Sequence, residues 1–493
     1  MDTVSLACGA VSEALTYLSG GFTPPAHAEK ATGVTEPIRI LELCALWGLG
    51  GTALDCYIRA VHLNRDLFQS LAVGYVDGGP WLNAARATRL TTATCDACNE
   101  RLEQVFADFR PHLVHYVRMS STDALIVTAQ RLCRKYGAFA EVETNMFGRP
   151  ARDAGLSPPN LVRHVSQASM LRYAGLAGTT MEQLYARGDR TVYIPILADR
   201  FAGLQLTPED RETFRKRLGV RPEEVLACRV GRADLRKWSQ RLEYAIPRML
   251  DAVPHLRYVF QTAPPSKVES LRKRYGDRVL CLPMTADPTE LGRLYHACDL
   301  MIHSSAIGES FGCSVAEGMY WRLPVVVDST PEVDNAQIEL VDHGETGLVV
   351  LSVTGFVEAV KKLAGDSQER RRLGEAGHVK AARLYSESAV TALWEKYYVE
   401  LLDRVGCPAV TERHRARGGQ VNAPDEINET AWEARYAARL GKYVGPRPGL
   451  GERITLGFGS ARDVVAFARE IGPIRVWNVL RDRLKAGRIM SRA

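Results

Sequence analysis

Residues 308–317 read Gly308-Glu309-Ser310-Phe311-Gly312-Cys313-Ser314-Val315-Ala316-Glu317, and they place two carboxylates eight positions apart. An apolar run over residues 299–305 precedes this stretch, and a second one over residues 324–327 follows it. Runs of this length are typical of strands that are buried in a parallel sheet. The order of strand, glycine-containing loop, helix and strand predicts an open α/β sheet, in which a ligand binds outside the carboxyl ends of the strands.

We expect the helix in this stretch to begin near Cys313 or Ser314. Its first N–H groups and its dipole would then point into the crevice, and this arrangement suits an anion such as a diphosphate. Glu309 would lie in the loop before the helix, and Glu317 about one turn inside it. Because carboxylates repel phosphate, we expect these two side chains to bind neutral hydroxyl groups of a sugar and of a ribose.

The same order of elements occurs near the start of the chain. Residues 38–44 have the pattern of a strand, the loop over residues 47–52 contains Gly50 and Gly51, and a helical pattern continues to about Asn64. Glycine lets the backbone approach a ligand closely, so this loop is a candidate ligand site.

Two cations follow the strand predicted over residues 225–230. Arg232 comes directly after Gly231, and Lys237 comes five residues after Arg232. A guanidinium can bind two phosphate oxygens at once, and an ammonium adds a point charge. The pair therefore suits a departing diphosphate.

In these features the chain resembles family 4 of the retaining glycosyltransferases. Glu309 and Glu317, with Phe311-Gly312 between them, match the signature of that family, and Gly231-Arg232, four residues, Lys237 matches its phosphate-binding pair in spacing and position. The resemblance covers about residues 36–404. It implies the GT-B fold, an α/β architecture in which two Rossmann-like, doubly wound domains face a cleft.

The expected organisation follows from this resemblance. An N-terminal Rossmann-like domain over residues 36–195 would face the acceptor, and a C-terminal one over residues 196–385 would bind the nucleotide-sugar donor. The helix over residues 386–404 would cross back to the first domain. Residues 1–35 are expected to form a loosely ordered leader, and residues 405–493 a basic, helical C-terminal extension.

The implied activity is that of a hexosyltransferase-like enzyme. It would transfer a sugar from a nucleotide diphosphate sugar to an acceptor hydroxyl, with retention of configuration and without a metal. The expected catalytic residues are Arg232, Lys237 and Glu309. The expected donor-binding residues are Gly50, Gly51, Pro283, Met284, Phe311, Gly312, Cys313, Ser314 and Glu317. No cofactor is expected beside the nucleotide sugar, and the chain has no Asp-x-Asp motif to hold a metal-bridged diphosphate.

One strand departs from the family pattern. Relatives often carry His-x-His near its end, where this chain has His115 and then Val117. His115 is thus either a sugar contact or a core histidine with its hydrogen bonds satisfied, and Arg118 is an alternative source of polarity. Asn145, in the loop over residues 144–152, is a candidate acceptor contact.

Two other functions remain open at this point. One is a sugar-nucleotide epimerase on the same fold, which would need acid–base carboxylates in both domains. The other is a non-catalytic nucleotide-sugar-binding scaffold protein in polysaccharide assembly, for which Val117 is the supporting residue.

The composition is that of a cytoplasmic globular protein. The 493 residues are 46% hydrophobic and 24% charged, which suits two or three domains. No apolar run approaches the ~20 residues of a membrane span, and the N-terminus lacks the basic segment of a signal peptide. The odd number of cysteines, 11, indicates reduced thiols. Cys95 and Cys98 form a C-x-x-C pair without the second pair that zinc would require.

The positive charge is concentrated at the C-terminus. Residues 407–493 hold 16 Lys and Arg against 9 Asp and Glu, which leaves 47 and 48 for the rest of the chain. Residues 474–490 form an amphipathic helical pattern in which an apolar face with Trp477 lies opposite a basic one. This pattern is typical of a peripheral contact at the inner membrane face, near a lipid-linked or other carbohydrate acceptor. The alternative is that the apolar face packs on protein. No nucleic acid partner is expected.

Overall fold

The computed structural model describes residues 36–420 except for residues 46, 49, 75–78, 89, 96–98, 154–155, 286 and 331–332. The predicted leader, Cys98 and the amphipathic segment 474–490 lie outside the described residues. The predictions made for them therefore stay predictions.

Two parallel sheets form the framework of the fold. The strands of the first sheet are β1 (Ile38–Cys44), β2 (Phe68–Gly74), β3 (Thr91–Thr94), β4 (Leu113–Arg118), β5 (Ala140–Asn145), β6 (Leu161–His164) and β7 (Arg190–Thr191). They lie in the order β3-β2-β1-β4-β5-β6-β7. The chain reverses direction across the sheet between β1 and β4, which is where a doubly wound domain opens its crevice.

The second sheet repeats this plan. Its strands are β8 (Val225–Val230), β9 (Leu256–Gln261), β10 (Val279–Leu282), β11 (Leu300–His303), β13 (Val325–Asp328) and β15 (Gly347–Val350), and two short strands, β12 (Gly308–Glu309) and β14 (Asp334–Asn335), pair beside it. The order is β10-β9-β8-β11-β13-β15, so the reversal falls between β8 and β11. The expected pair of Rossmann-like domains of the GT-B fold is confirmed.

Helices cover both faces of each sheet. In the first part of the chain they are α1 (Gly51–His62), α2 (Pro80–Ala87), α3 (Asn99–Phe109), α4 (Ala124–Tyr136), α5 (Gln167–Ala177), α6 (Met181–Arg187), α7 (Ala198–Ala202) and α8 (Pro208–Arg217). In the second part they are α9 (Gln240–Ala252), α10 (Pro265–Tyr275), α11 (Pro288–Ala297), α12 (Cys313–Tyr320), α13 (Gln337–Leu340), α14 (Val353–Gly365), α15 (Ser367–Tyr385), α16 (Glu387–Arg404) and α17 (Glu412–Gln420). None of the described helices combines the length and the apolar character needed to cross a bilayer.

Helix α16 packs on the first sheet, although it follows the second sheet in the chain. The Trp394 ring lies 4.7 Å from the His115 ring on β4, and the Tyr398 hydroxyl donates a hydrogen bond to Glu42 on β1. Glu395 accepts a hydrogen bond from the Asn64 backbone at 2.6 Å. Apolar burial and these polar contacts together hold the end of the chain on the first sheet.

Helix α9 begins two residues later than the sequence indicates. A helix is expected from about Trp238, but Leu235–Lys237 form a 3-10 turn, and α9 starts at Gln240. The Ser239 side chain caps α9 by accepting a hydrogen bond from the Leu242 N–H, which explains the start. The 3-10 turn has a consequence for the site, because it carries Lys237.

Candidate active site

Glu309 is placed by a glycine that no other residue can replace without strain. Gly308 has φ +66°, and a Cβ at that position would lie 1.6 Å from the Asp334 carbonyl oxygen on β14. The Glu309 carbonyl in turn accepts a hydrogen bond from the Ala336 N–H at 2.8 Å. The pairing of β12 with β14 therefore fixes the backbone that carries the Glu309 carboxylate.

Two side chains hold this carboxylate. Lys237 Nζ donates to Glu309 Oε2 at 2.7 Å and to the Gly308 carbonyl at 3.2 Å. His303 Nε2 lies 3.1 Å from Glu309 Oε1. Burial raises the pKa of Glu309, but the charge of Lys237 and the hydrogen bond from His303 outweigh it, so the pKa lies well below its usual value. Glu309 is therefore ionised at physiological pH.

Arg232 does not share the contacts of Lys237. Its side chain is 53% exposed, and its Nη2 lies 3.9 Å from Asp234 Oδ2. Among the described residues, the ion pairs of Glu309 involve Lys237 and His303 but not Arg232. The two cations thus lie at opposite ends of one loop, and Arg232 faces solvent at its start.

Helix α12 begins where the sequence predicts, at Cys313. Gly312 precedes it with φ +111°, and no side chain caps the helix. The first-turn N–H groups of Cys313 and Ser314 are therefore not occupied by a capping side chain, as an anion site requires. Phe311 is buried, and its ring centroid lies 5.7 Å from that of Tyr193 and 5.4 Å from that of Tyr385. This aromatic packing anchors the loop before α12 in the core.

The glycine loop of the first sheet meets this helix. A Cβ at Gly51 would lie 2.7 Å from Cys313 Sγ, while Gly50 has open space around it. Three predicted donor-binding residues from distant parts of the chain are thus brought to one place. A side chain at residue 51 would require Cys313 Sγ to shift or to bond to it.

Glu317 lies one turn further along α12. Its Oε2 accepts a hydrogen bond from the Tyr295 hydroxyl at 2.7 Å, and burial raises the pKa of Glu317 to about 7. The carboxylate therefore has one oxygen engaged by protein, and the second remains to accept a bond from a ligand hydroxyl.

Pro283 and Met284 follow β10 at its carboxyl end. The Pro283 carbonyl accepts a hydrogen bond from Gln261 Nε2, and the Met284 side chain is 61% exposed. An exposed flexible apolar side chain at this edge suits a planar ring such as a nucleotide base.

Comparison with protein families matches residues 225–366 to the family described as glycosyl transferases group 1. The matched segment contains Arg232, Lys237, Glu309 and Glu317. Residues 225–366 of this chain are thus similar to the glycosyl transferases group 1.

Curated proteins are similar to this chain over limited segments. D-inositol 3-phosphate glycosyltransferase of Mycobacterium marinum is 29% identical over 197 residues, which cover 38% of this chain and 39% of the relative. Human alpha-1,3/1,6-mannosyltransferase ALG2 is 27% identical over 128 residues, which cover 26% of this chain and 29% of the relative. The matches thus span well under half of either relative.

Solved structures resemble this chain in fold. HepE from Anabaena, in complex with UDP and glucose, has a TM-score of 0.59 at 18% identity and covers 74% of this chain and 100% of its own. A glycosyltransferase from Rickettsia africae has a TM-score of 0.60 at 14% identity, covering 74% of this chain and 99% of its own. Both likenesses concern the fold.

His115 has the contacts of a core histidine. Its Nδ1 is hydrogen-bonded to the Tyr398 hydroxyl, and its Nε2 lies 2.8 Å from Thr144 Oγ1. Burial lowers the pKa of His115 well below its usual value, so the ring is neutral. Val117 is also buried, in the apolar core beside Cys44.

Arg118 and Asn145 bind the same carboxylate. Arg118 Nε donates to Glu143 Oε2 at 2.8 Å, and Asn145 Nδ2 donates to Glu143 Oε1 at 2.9 Å. Arg118 and Glu143 line a cavity of about 260 Å³. The other lining residues are Pro150, Ala151, Asp153, Leu156, Ser157, Pro158, Pro159, Asn160, Val162, Tyr173, Arg187 and Asp189.

Three residues that the sequence analysis does not select contact the predicted site residues. His303 and Tyr295 hold the two glutamates, and Arg229 lies under the loop of Lys237. Arg229 and His303 are polar residues within apolar strands, and that interruption was the signal available in the sequence. Tyr295 lies in a helical pattern and carries no such signal.

Proposed function

We propose that the chain is a retaining, metal-independent hexosyltransferase. It moves a sugar from a nucleotide diphosphate sugar to an acceptor hydroxyl in polysaccharide or glycolipid assembly. The observation that carries the proposal is the contact of Lys237 with Glu309 beside the uncapped start of α12. A cation and free N–H groups for the phosphates thus lie next to a carboxylate for sugar hydroxyls.

The hydrogen-bonding capacity of Lys237 supports a phosphate contact. Its ammonium has three N–H donors, of which Glu309 and the Gly308 carbonyl take two. The third donor remains for a diphosphate oxygen. Together with Arg232 and the α12 N-terminus, it stabilises the negative charge that grows on the leaving group.

The low pKa of Glu309 supports a binding role for this residue. A carboxylate that is held by Lys237 and His303 is a weak base, so it accepts hydrogen bonds from sugar hydroxyls more readily than it removes a proton. Glu317 accepts a bond from the ribose. Retention in the proposed mechanism therefore does not use the pair of flanking carboxylates found in retaining glycosidases.

The cavity beside Arg118 supports a small polar acceptor group. Its volume of about 260 Å³ lies just below the ~300–1,000 Å³ of common ligand pockets, so it suits a single sugar or polyol unit. Paired charges such as Arg118 with Glu143 and Arg187 with Asp189 offer hydrogen bonds to hydroxyls. We therefore propose a carbohydrate or lipid-linked acceptor.

The location of the protein is proposed on separate grounds. No disulfide joins any two of the described cysteines, which suits a reducing compartment. The basic segment 474–490, outside the described residues, suits peripheral contact with an anionic membrane. We propose a cytoplasmic protein that works at the inner membrane face.

The test is a screen of nucleotide sugars for thermal stabilisation, followed by transfer assays with the donor that stabilises most. We expect a glycoside with the anomeric configuration of the donor, formed equally with and without a chelator. Loss of activity on chelation, with recovery on addition of magnesium or manganese, contradicts the metal-independent mechanism. An isomerised nucleotide sugar formed without acceptor identifies an epimerase, and binding without any turnover identifies a scaffold protein.

A further inference from the structure

Arg229 is a buried cation without an ion pair among the described residues. It lies on β8 and is 2% exposed. Two other buried arginines have carboxylate partners, as Arg59 has Glu42 and Arg215 has Asp299. Arg229 donates to two backbone carbonyls instead, and its Nη1 has no hydrogen-bond partner.

The contacts of Arg229 locate it beneath the loop over residues 231–237. Its Nη2 donates to the Lys237 carbonyl at 2.7 Å, at the end of the loop. At the start of the loop, a Cβ on Gly231 would lie 3.1 Å from Arg229 Nη1, so the missing side chain gives the guanidinium its space. Its Nε donates to the Ser304 carbonyl at 3.3 Å, next to His303.

The charge balance at this place is positive. Glu309 forms an ion pair with Lys237, and Arg229 adds a second, buried cation that contacts the Lys237 backbone. Burial lowers the pKa of Arg229, and the carboxylate of Glu309 is among the groups that oppose this effect. A buried charge without a partner is costly to the folded state, so an anion that binds nearby relieves that cost.

We propose that Arg229 is a third, buried cation of the diphosphate site. It is a positioning residue, because it fixes the backbone of Lys237 so that the ammonium reaches Glu309. Its uncompensated charge also favours a ligand with several negative charges over one with fewer. This inference rests on the proposed function, because the ligand is the diphosphate of the donor.

The experiment compares inorganic pyrophosphate with inorganic phosphate as ligands. Binding is measured by calorimetry on the full chain, at low and at moderate salt, for the wild type and for Arg229→Gln and Arg229→Lys. The glutamine variant keeps a hydrogen-bond donor but loses the charge. The lysine variant keeps the charge but loses the planar, paired N–H donors of the guanidinium. Arg163→Gln is the matched control, since Arg163 is buried in the first sheet and donates to the Val162 and Gly188 carbonyls.

We expect Arg229→Gln to lose about tenfold in pyrophosphate affinity and much less in phosphate affinity. Arg229→Lys should bind pyrophosphate nearly as well as the wild type. Its remaining loss of affinity should also depend less on salt than the loss in Arg229→Gln. Arg163→Gln should lower the melting temperature by a similar amount and leave pyrophosphate binding unchanged. If only Arg229→Gln loses pyrophosphate affinity, the loss is due to the missing charge and not to altered packing alone.

The outcomes separate the inference from the function on which it rests. Wild-type protein that does not bind pyrophosphate contradicts the proposed function itself. Normal pyrophosphate binding in Arg229→Gln overturns the inference and leaves the proposed function standing. If Arg229→Gln does not fold, Arg229→Lys decides the matter. A loss of pyrophosphate affinity in Arg229→Lys as large as that in an Arg232→Ala variant shows that Arg229 has a structural role only, and it overturns the inference.

Discussion

In the proposed function, the ion pair of Lys237 with Glu309 joins the diphosphate part of the site to its sugar part. Arg232 lies at the exposed start of the same loop. We expect Lys237→Ala and Arg232→Ala each to lower turnover by about 100-fold, because each removes a charge-assisted bond to phosphate. Steady-state kinetics on folded variants measures this, and Lys273→Ala, an exposed cation on α10, is the control.

The two variants should differ in their pH dependence. Lys237→Ala removes the charge that holds the pKa of Glu309 down, so the acid limb of its rate profile should move to higher pH. Arg232→Ala should leave that limb in place. Normal turnover in both variants contradicts the phosphate assignment.

The two glutamates should also differ in their roles. We expect Glu309→Gln to weaken transfer more than nucleotide binding, and Glu317→Gln to weaken nucleotide binding itself. A titration with the nucleoside diphosphate of the donor measures both. The reverse ranking means that the two roles are exchanged.

The raised pKa of Glu317 gives Glu317→Gln a second signature. The folded state holds the proton up to about pH 7, whereas the unfolded state loses it near pH 4.5. The contribution of Glu317 to stability therefore falls as the pH rises between these values. The unfolding free energy of the glutamine variant should exceed that of the wild type by up to ~3 kcal/mol at pH 8 and by less than ~1 kcal/mol at pH 5.

Urea denaturation at both pH values, without ligand, provides the measurement. Glu375→Gln, at an exposed position, is the control and should show no such difference. A variant that is less stable than the wild type at both pH values shows that the Tyr295 contact, not the burial of charge, governs this site.

Among the secondary-structure elements, the short pair β12 and β14 bears most directly on the site. Gly308→Ala places a Cβ against the Asp334 carbonyl and strains a backbone with positive φ. We expect a loss of at least ~3 kcal/mol in unfolding free energy and nearly complete loss of turnover, since Glu309 is displaced.

Gly344→Ala is the matched control, because Gly344 also has positive φ but has open space around its Cβ position. It should cost only about 1 kcal/mol and leave turnover unchanged. Equal effects of the two substitutions indicate that backbone strain alone, and not the contact with β14, matters at Gly308.

For the molecule as a whole, the approach of Gly51 to Cys313 tests the closure of the two sheets on one another. Gly51→Cys places a thiol where a disulfide with Cys313 can form, because the Cβ of residue 51 would lie 2.7 Å from Cys313 Sγ. We expect oxidation to form this bond and to block turnover, and a reductant to restore it.

Peptide mapping by mass spectrometry identifies the bond. The same substitution in a Cys313→Ser background is the control and should be insensitive to oxidation. Failure of the two thiols to join under oxidising conditions means that the sheets do not approach each other this closely in solution.

A prediction for the C-terminal extension rests on the sequence. Residues 474–490 lie outside the described residues, and their basic and apolar faces suit binding to an anionic lipid surface. We expect the intact chain to float with anionic liposomes, less so at high salt, and not after removal of residues 472–493. Absence of binding by the intact chain leaves packing on protein as the role of the apolar face.

Local signals were sufficient for the elements and their order. The apolar runs at residues 38–44 and 225–230 are strands with those bounds, and α12 begins at Cys313 as its glycine and small residues indicate. Such signals can be read from the sequence because hydrophobic periodicity, the backbone preference of glycine and helix capping all act within a few residues. Their order predicted an open α/β sheet, since parallel strands need helical connections between them, whereas the two-domain GT-B fold was implied by the resemblance to a known family.

The partners of the polar side chains were a matter of packing. Lys237 meets Glu309 across 72 positions, and His115 meets Tyr398 across 283 positions. No local pattern encodes such pairs, because they form only when two sheets and a returning helix exclude water around them. Residue types and spacing therefore indicate a phosphate and sugar site, while burial and distant hydrogen bonds place His115 in the core and bring Arg229 and His303 beside Lys237 and Glu309.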